Sequence, residues 1–193
     1  MATTTSVVLP YAPSFSFSPE AIRRIGSEAC RLCTEHLDRI VQVRAHQKTF
    51  DNTFLAFENA IDFFNSTVSV PQFLARVHPD KEVRRAAASL ASLAQRHLAS
   101  MLSRVDVYKT LQETFRENPP ESESDRFLAR QILRDFERNG VNLPTNKREE
   151  YQGLKVRLGK LESSFLTAYS RWQGCLTVSA SSLNGLSDLF IKS

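Results

Sequence analysis

Residues 80–116 read DKEVRRAAASLASLAQRHLASMLSRVDVYKTLQETFR and contain neither glycine nor proline. Apolar residues recur every three or four positions, which is the pattern of one face of an amphipathic helix. They are Val83, Ala87, Leu90, Ala94, Leu98, Met101, Val105, Tyr108, Leu111 and Phe115. Pro79, Asp80 and Glu82 suit the first turn of a helix. We therefore predict one helix over residues 80–116, roughly 50 Å long at about 1.5 Å per residue, which needs apolar partners along its length.

Two other stretches have their own apolar face and are predicted to be long helices. The first follows the capping sequence Ser18-Pro19-Glu20 and covers residues 19–47. The second covers residues 145–172, where apolar residues alternate in steps of three and four, the spacing of a heptad seam. The seam residues are Tyr151, Leu154, Leu158, Leu161, Phe165, Ala168 and Trp172.

Shorter segments complete the predicted fold. One helix is expected from Phe54 to Phe64, followed by a loop at residues 65–67 and a connecting piece at residues 70–77. Another is expected over residues 122–139, ended by Gly140. Its inward residues are predicted to be Phe127, Ile132 or Leu133, and Phe136. The fold class is thus all-α, an elongated bundle of about six helices.

Three segments describe the predicted domain organisation. Residues 1–18 form an extended N-terminal arm, in which Phe15 and Phe17 alternate with serines and are expected to lie on an apolar surface. Residues 19–178 form the helical domain. Residues 179–193 form a short C-terminal helix or tail.

Composition excludes several classes of protein. The net charge of +4 is mild, and basic residues are mixed with acidic ones, so nucleic-acid binding is not expected. No stretch approaches the roughly 18 apolar residues of a membrane span, and no membrane association is expected. Residues 1–18 carry no charge and match neither a signal peptide nor a mitochondrial presequence. We expect a cytoplasmic protein.

Candidate reactive residues do not form a recognisable site. Cys30 and Cys33 are spaced C-x-x-C, but they lie within a helical pattern, which favours packing over redox or metal chemistry. The histidines are His36, His46, His78 and His97, and no two are four residues apart, so H-E-x-x-H is absent. We predict no catalytic, cofactor-binding or metal-binding residue in this chain, and no cofactor.

Several segments resemble the thimet oligopeptidase, neurolysin and saccharolysin family of zinc oligopeptidases. These are TFDNT at residues 49–53, VHPDKEVRRA at 77–86, RVDVY at 104–108, RNGVNLP at 138–144 and LNGL at 183–186. Ser182 and Ser187 depart from the acidic residue and the proline of the family's last segment. These segments occur in the family's order and are spread over nearly all of the chain from Pro19 onward. The resemblance implies a neurolysin-like N-terminal domain, the non-catalytic helical wall of a channel that admits short peptides. Zinc and its H-E-x-x-H ligands belong to a catalytic half that this sequence does not contain.

Three functions follow as hypotheses. In the first, which we favour, the chain is a truncated or stand-alone channel-wall domain without hydrolase activity. In the second, it is a non-enzymatic helical module that binds peptides or proteins. In the third, it is an unrelated helical enzyme with a dispersed site. Candidate partners are short peptides or a separate catalytic half.

An apolar surface normally covered by such a catalytic half would be exposed in this chain. We expect the tail residues Leu183, Leu186, Leu189 and Phe190 to contribute to it and to promote self-association.

Overall fold

The computed structural model describes residues 15–171 and 178–187. Its α-helices are α1 (Pro19–Gln42), α2 (Ala56–Val77), α3 (Lys81–Met101), α4 (Val105–Glu117), α5 (Glu123–Arg138) and α6 (Thr145–Arg171). Short 3-10 turns lie at Ala45–Gln47 and Ala180–Leu183, and a π-helical turn at Asp51–Leu55 precedes α2. No strand occurs in the described ranges, and the prediction of an all-α fold is confirmed.

The chain divides into two compact units, Met1–Glu149 and Glu150–Ser193. Helix α6 begins at Thr145 in the first unit and ends at Arg171 in the second. The boundaries predicted at residues 18 and 178 remain predictions.

Helices α1, α2 and α3 pack on one another and form most of the core of the first unit. Side chains cap the starts of α1 and α3: Ser18 Oγ accepts a hydrogen bond from the Ala21 amide at 3.2 Å, and Asp80 Oδ1 accepts one from the Glu82 amide at 2.7 Å. Helices α1 and α3 come close at Gly26, which is buried. A Cβ at this position would lie 2.5 Å from Leu90 Cδ1, so any larger residue here must displace the buried Leu90 side chain.

The single helix predicted over residues 80–116 is wrong, because α3 ends at Met101 and α4 begins at Val105. Tight hydrogen bonds from the amides of Ser103 and Arg104 to carbonyls three residues earlier close α3. The Arg104 guanidinium then binds Asp38 of α1 (Nη1–Oδ1 2.5 Å) and Asp106 in the first turn of α4. The hydrogen bond from Arg104 lowers the pKa of Asp106, consistent with a carboxylate that stays charged at the helix N-terminus.

The helix predicted over residues 19–47 stops five residues early, at Gln42. Val43 is extended, and the turn after it brings the largely buried Lys48 to α4, where its Nζ lies 2.9 Å from Glu113 Oε2. Asn118 Nδ2 also donates to the Lys48 carbonyl at 3.1 Å. These contacts stabilise a turn after Val43 in place of the last helical turn that the apolar spacing predicted.

The loop at residues 65–67 and the connecting piece at 70–77 were also wrongly predicted. Helix α2 continues through both, with Pro71 inside it. The apolar period is kept by Val68, Pro71 and Leu74, which are all buried. Because their burial stabilises the continuous helix, the helix tolerates the loss of the backbone hydrogen bond that proline cannot donate.

Other local predictions have mixed outcomes. Gly140 does follow the end of α5, with a positive φ of 82°, and the Val141 amide donates to the Phe136 carbonyl. Ile132 and Phe136 are buried as predicted, but Phe127 is 61% exposed. Helix α6 covers the predicted range as far as Arg171, and residue 172 lies outside the described residues.

The described end of the predicted N-terminal arm contacts α2. Residues 15–18 are not helical, and the Phe15 ring meets the Phe73 ring edge-on at 6.4 Å. Phe17 is partly buried against the core. Residues 1–14 of the arm lie outside the described ranges.

Candidate functional sites

The C-x-x-C pair is part of the packing between helices. Cys33 is fully buried, and its Sγ donates to the Ala60 carbonyl at 3.5 Å and lies 3.1 Å from Met101 Sδ. Burial raises the pKa of the Cys33 thiol to about 11, and burial also raises the pKa of Cys30. Both thiols are therefore protonated near neutral pH, which makes them poor nucleophiles and poor metal ligands.

The histidines are separated from one another and occupy ring-packing or turn positions. His36 stacks on Phe63 with centroids 5.9 Å apart, and His97 packs on Phe64 at 5.0 Å. His78 Nδ1 accepts a hydrogen bond from the Asp80 amide at 3.1 Å, which shapes the turn before α3. Within residues 15–171 and 178–187, no three His, Cys, Asp or Glu side chains converge on a point that could hold a metal. The described residues do not fit a zinc centre, which needs about three such ligands.

His97 is the most unusual of these residues. Its Nε2 is shielded from solvent and has no hydrogen-bond partner in the described part of the chain. Burial lowers the pKa of this imidazole, since the charged form loses hydration. The environment suits a neutral ring packed on Phe64 of α2.

We expect His97 to make stability depend on pH. Its pKa is lower in the folded state than the unfolded value of about 6.5, so the folded state binds fewer protons and the free energy of unfolding falls as pH drops below that value. The variant His97→Phe keeps an aromatic ring and removes the titration. Urea unfolding between pH 7.5 and pH 5 should show a larger loss for the wild type than for the variant. Parallel pH profiles would contradict this role for His97.

Two polar groups could in principle support acid–base chemistry. The Tyr108 hydroxyl donates to Glu137 Oε1 at 3.0 Å and accepts from Asn142 Nδ2 at 3.4 Å. Burial raises the pKa of Tyr108, and this network joins α4 to the end of α5. Glu58 is half-buried near Asp62 and Asp135, and burial raises its pKa too. Neither group faces a histidine, serine or thiol within hydrogen-bond distance among the described contacts. Tyr108 is best explained as a link between α4 and α5, whereas Glu58 lies near two carboxylates of the same charge.

The apolar seam predicted along α6 lies on the exposed surface of that helix. Four of its members are more than half exposed: Leu154, Leu158, Leu161 and Phe165. Ala168 is exposed as well, and Tyr151 is half-buried. We call this surface, Tyr151 to Ala168 at heptad spacing, the α6 seam. Contiguous apolar surface of this kind marks an interaction site more often than an isolated exposed residue does.

The predicted apolar tail is only partly described. Leu186 is 45% exposed and Leu183 is half-buried. Leu189 and Phe190 lie outside the described residues, so the contribution of the tail to an exposed patch remains a prediction. None of the described helices is both long and apolar enough to cross a membrane.

Comparison with known proteins places this helical chain among peptidase relatives. It is 25% identical over 186 residues to the thimet-like oligopeptidase of Dictyostelium discoideum, covering 93% of this chain and 28% of that protein. It is 24% identical over 177 residues to the probable thimet oligopeptidase of Arabidopsis thaliana, covering 92% of this chain and 25% of that protein. It is 26% identical over 174 residues to the mitochondrial intermediate peptidase of Schizosaccharomyces pombe, covering 87% of this chain and 22% of that protein. No protein-family model matches the chain.

The resemblance seen in the sequence is thereby confirmed. The chain is homologous, over about nine-tenths of its length, to thimet-like oligopeptidases and mitochondrial intermediate peptidases. It spans about a quarter of the length of the curated relatives that it matches.

Proposed function

We propose that the chain is a non-catalytic, channel-wall domain of a zinc-dependent oligopeptidase that cleaves short peptides. In this proposal the helices α1 to α5 form a rigid scaffold, and the zinc and its ligands belong to a separate or continuous catalytic part. The chain contributes surface that positions peptides, and it does not itself polarise the scissile bond.

One observation carries the proposal: nearly all of this chain aligns with oligopeptidases, yet it accounts for about a quarter of their length. The chemistry of the described residues agrees with a scaffold. Of its described thiols, Cys33 is buried and Cys30 is partly buried, and burial raises the pKa of both. Its histidines pack on aromatic rings or shape turns.

Zinc content tests this assignment. The purified chain, dialysed against zinc and then against metal-free buffer, should retain well below one zinc ion per chain by elemental analysis. The matched control is the Dictyostelium relative treated in the same way, which should retain about one ion if it has the open zinc site of a metallopeptidase. One tightly held zinc per copy of this chain would contradict the proposed division of roles.

The proposal extends to partners and compartment. We propose short peptides and a catalytic part as the partners, and the cytoplasm as the compartment. Two relatives are named as thimet oligopeptidases and another as a mitochondrial enzyme. Fractionation of cells carrying the tagged chain distinguishes the compartments, and recovery in the mitochondrial matrix would contradict the cytoplasmic assignment.

A further inference from the structure

The α6 seam has the features of a helix-pairing surface. Its members Leu154, Leu158, Leu161 and Phe165 repeat with heptad spacing and are all more than half exposed. Two helices with such a seam bury it by packing the seam of one into the seam of the other. The occupant that fits best is a second copy of the same helix, for reasons of size and of charge.

Size favours an antiparallel pair. With Leu158 opposite Leu161 of the second copy, Leu154 meets Phe165 and the half-buried Tyr151 meets Ala168. Each of the outer layers then joins a larger residue to a smaller one, which fills space evenly. A parallel pair in register would instead place Phe165 on Phe165 and Ala168 on Ala168.

Charge favours the same arrangement. Lys155 and Glu162 are exposed and flank the seam on one side, one heptad apart. In the antiparallel pair each Lys155 lies opposite Glu162 of the second copy, which gives two lysine–glutamate ion pairs. Lys155 already lies at the seam edge, with Nζ 5.8 Å from the centroid of the Tyr151 ring. On the other side of the seam, Arg157 faces the neutral Ser164, so no like charges oppose each other there.

We propose that two copies of this chain associate through the α6 seam as an antiparallel helix pair. This inference goes beyond the proposed function, since it concerns self-association of this chain and needs no catalytic part. It also places the self-association surface on α6, whereas the sequence alone pointed to the tail.

Sedimentation of the full chain tests the pairing. At about 100 µM the wild type should sediment as a dimer, and Leu161→Asp should weaken dimerisation by about 100-fold or more, since it places a carboxylate in the seam. Leu161 is 60% exposed in the single chain, so this change should leave the helical content unaltered. The matched control is Lys160→Glu, an exposed position off the seam, which should leave the dimer intact. A wild type that remains monomeric at this concentration overturns the proposal.

Charge exchange tests the orientation. Glu162→Lys should weaken the dimer by about tenfold at low salt, because Lys155 then faces a lysine of the second copy. The double variant Lys155→Glu/Glu162→Lys should recover the affinity, since opposite charges again face each other across an antiparallel pair. In a parallel pair these two positions do not face each other, and the double variant would recover nothing. That outcome overturns the antiparallel assignment.

Cysteine cross-linking gives a second, independent measurement. In a background with Cys30 and Cys175 changed to serine, Lys155→Cys and Glu162→Cys should form a disulfide-linked dimer quickly only when the two proteins are mixed. Rapid cross-linking of either variant alone, or equal rates for a mixture with Lys160→Cys in place of Glu162→Cys, overturns the proposal. The fully buried Cys33 can remain in all variants.

Discussion

The substitution Phe136→Ala should lower the free energy of unfolding by about 3–5 kcal/mol, the range for loss of a buried aromatic side chain. Phe136 is fully buried and is the point at which three helices meet. Its ring centroid lies 5.3 Å from that of Phe57 on α2 and 5.9 Å from that of Tyr108 on α4. Truncation would leave a cavity between α5 and its neighbours and remove both aromatic contacts. Urea unfolding followed by circular dichroism measures the change.

Phe127→Ala is the matched control, since it is the same substitution on the same helix. Phe127 is 61% exposed, so its loss should change stability by less than about 0.5 kcal/mol. Equal effects at both positions, or an effect below about 1 kcal/mol at Phe136, would contradict the described packing of α5.

The substitution Gly26→Leu should also be strongly destabilising, by a net amount of about 2 kcal/mol. A Cβ at Gly26 would lie 2.5 Å from Leu90 Cδ1 and 3.3 Å from Leu93 Cδ2, so α1 and α3 must separate or repack. Overpacking of this kind costs about 1–3 kcal/mol. A leucine side chain is larger than the Cβ considered above, so we expect a cost at the upper end of this range. The higher helix propensity of leucine returns less than about 1 kcal/mol.

Gly153→Leu is the corresponding control on α6. No heavy atom lies within 4 Å of a Cβ built there, so only the gain in helix propensity remains. Thermal unfolding of the two variants should move in opposite directions relative to the wild type. A Gly26→Leu variant as stable as the wild type would contradict the tight packing of Leu90 and Leu93 against α1 at this position.

The apolar periodicity of the sequence predicted which segments are helical. It did not predict helix boundaries that depend on a tertiary contact. The helical character of residues 81–117 follows from the apolar stripe, but the turn at Arg104 does not interrupt that stripe. The turn depends on Asp38, which is far away in sequence and reaches Arg104 only in the fold. Asp106, an acid suited to a first helical turn, was the local sign that could have indicated a new helix.

The loop predicted at residues 65–67 and the connecting piece predicted at 70–77 are errors in the opposite direction. Polar residues such as those at 65–67, and prolines such as Pro71, are common between helices. The side chains of Ser66 and Thr67 instead donate back to the Phe63 carbonyl within the helix, at 3.0 and 2.7 Å. Burial of Val68 and Leu74 on either side of the proline outweighs its local preference.

The candidate sites were less predictable than the fold. Heptad spacing identified the α6 seam, but the sequence could not say that its residues are exposed in the single chain. Gly26 appeared only as a glycine within a helical pattern, and its role depends on Leu90 of a different helix. His97 lies within the helix predicted over residues 80–116. That its Nε2 has no hydrogen-bond partner among the described residues emerges only from the arrangement of α2 and α3.

The most direct test of the proposed function is hydrolysis of a quenched fluorogenic short peptide by the purified chain, with added zinc and with a chelator. The Dictyostelium thimet-like oligopeptidase serves as the positive control under identical conditions. We predict no cleavage by this chain above the buffer rate, with or without zinc. Cleavage that is abolished by the chelator and restored by zinc would contradict the account.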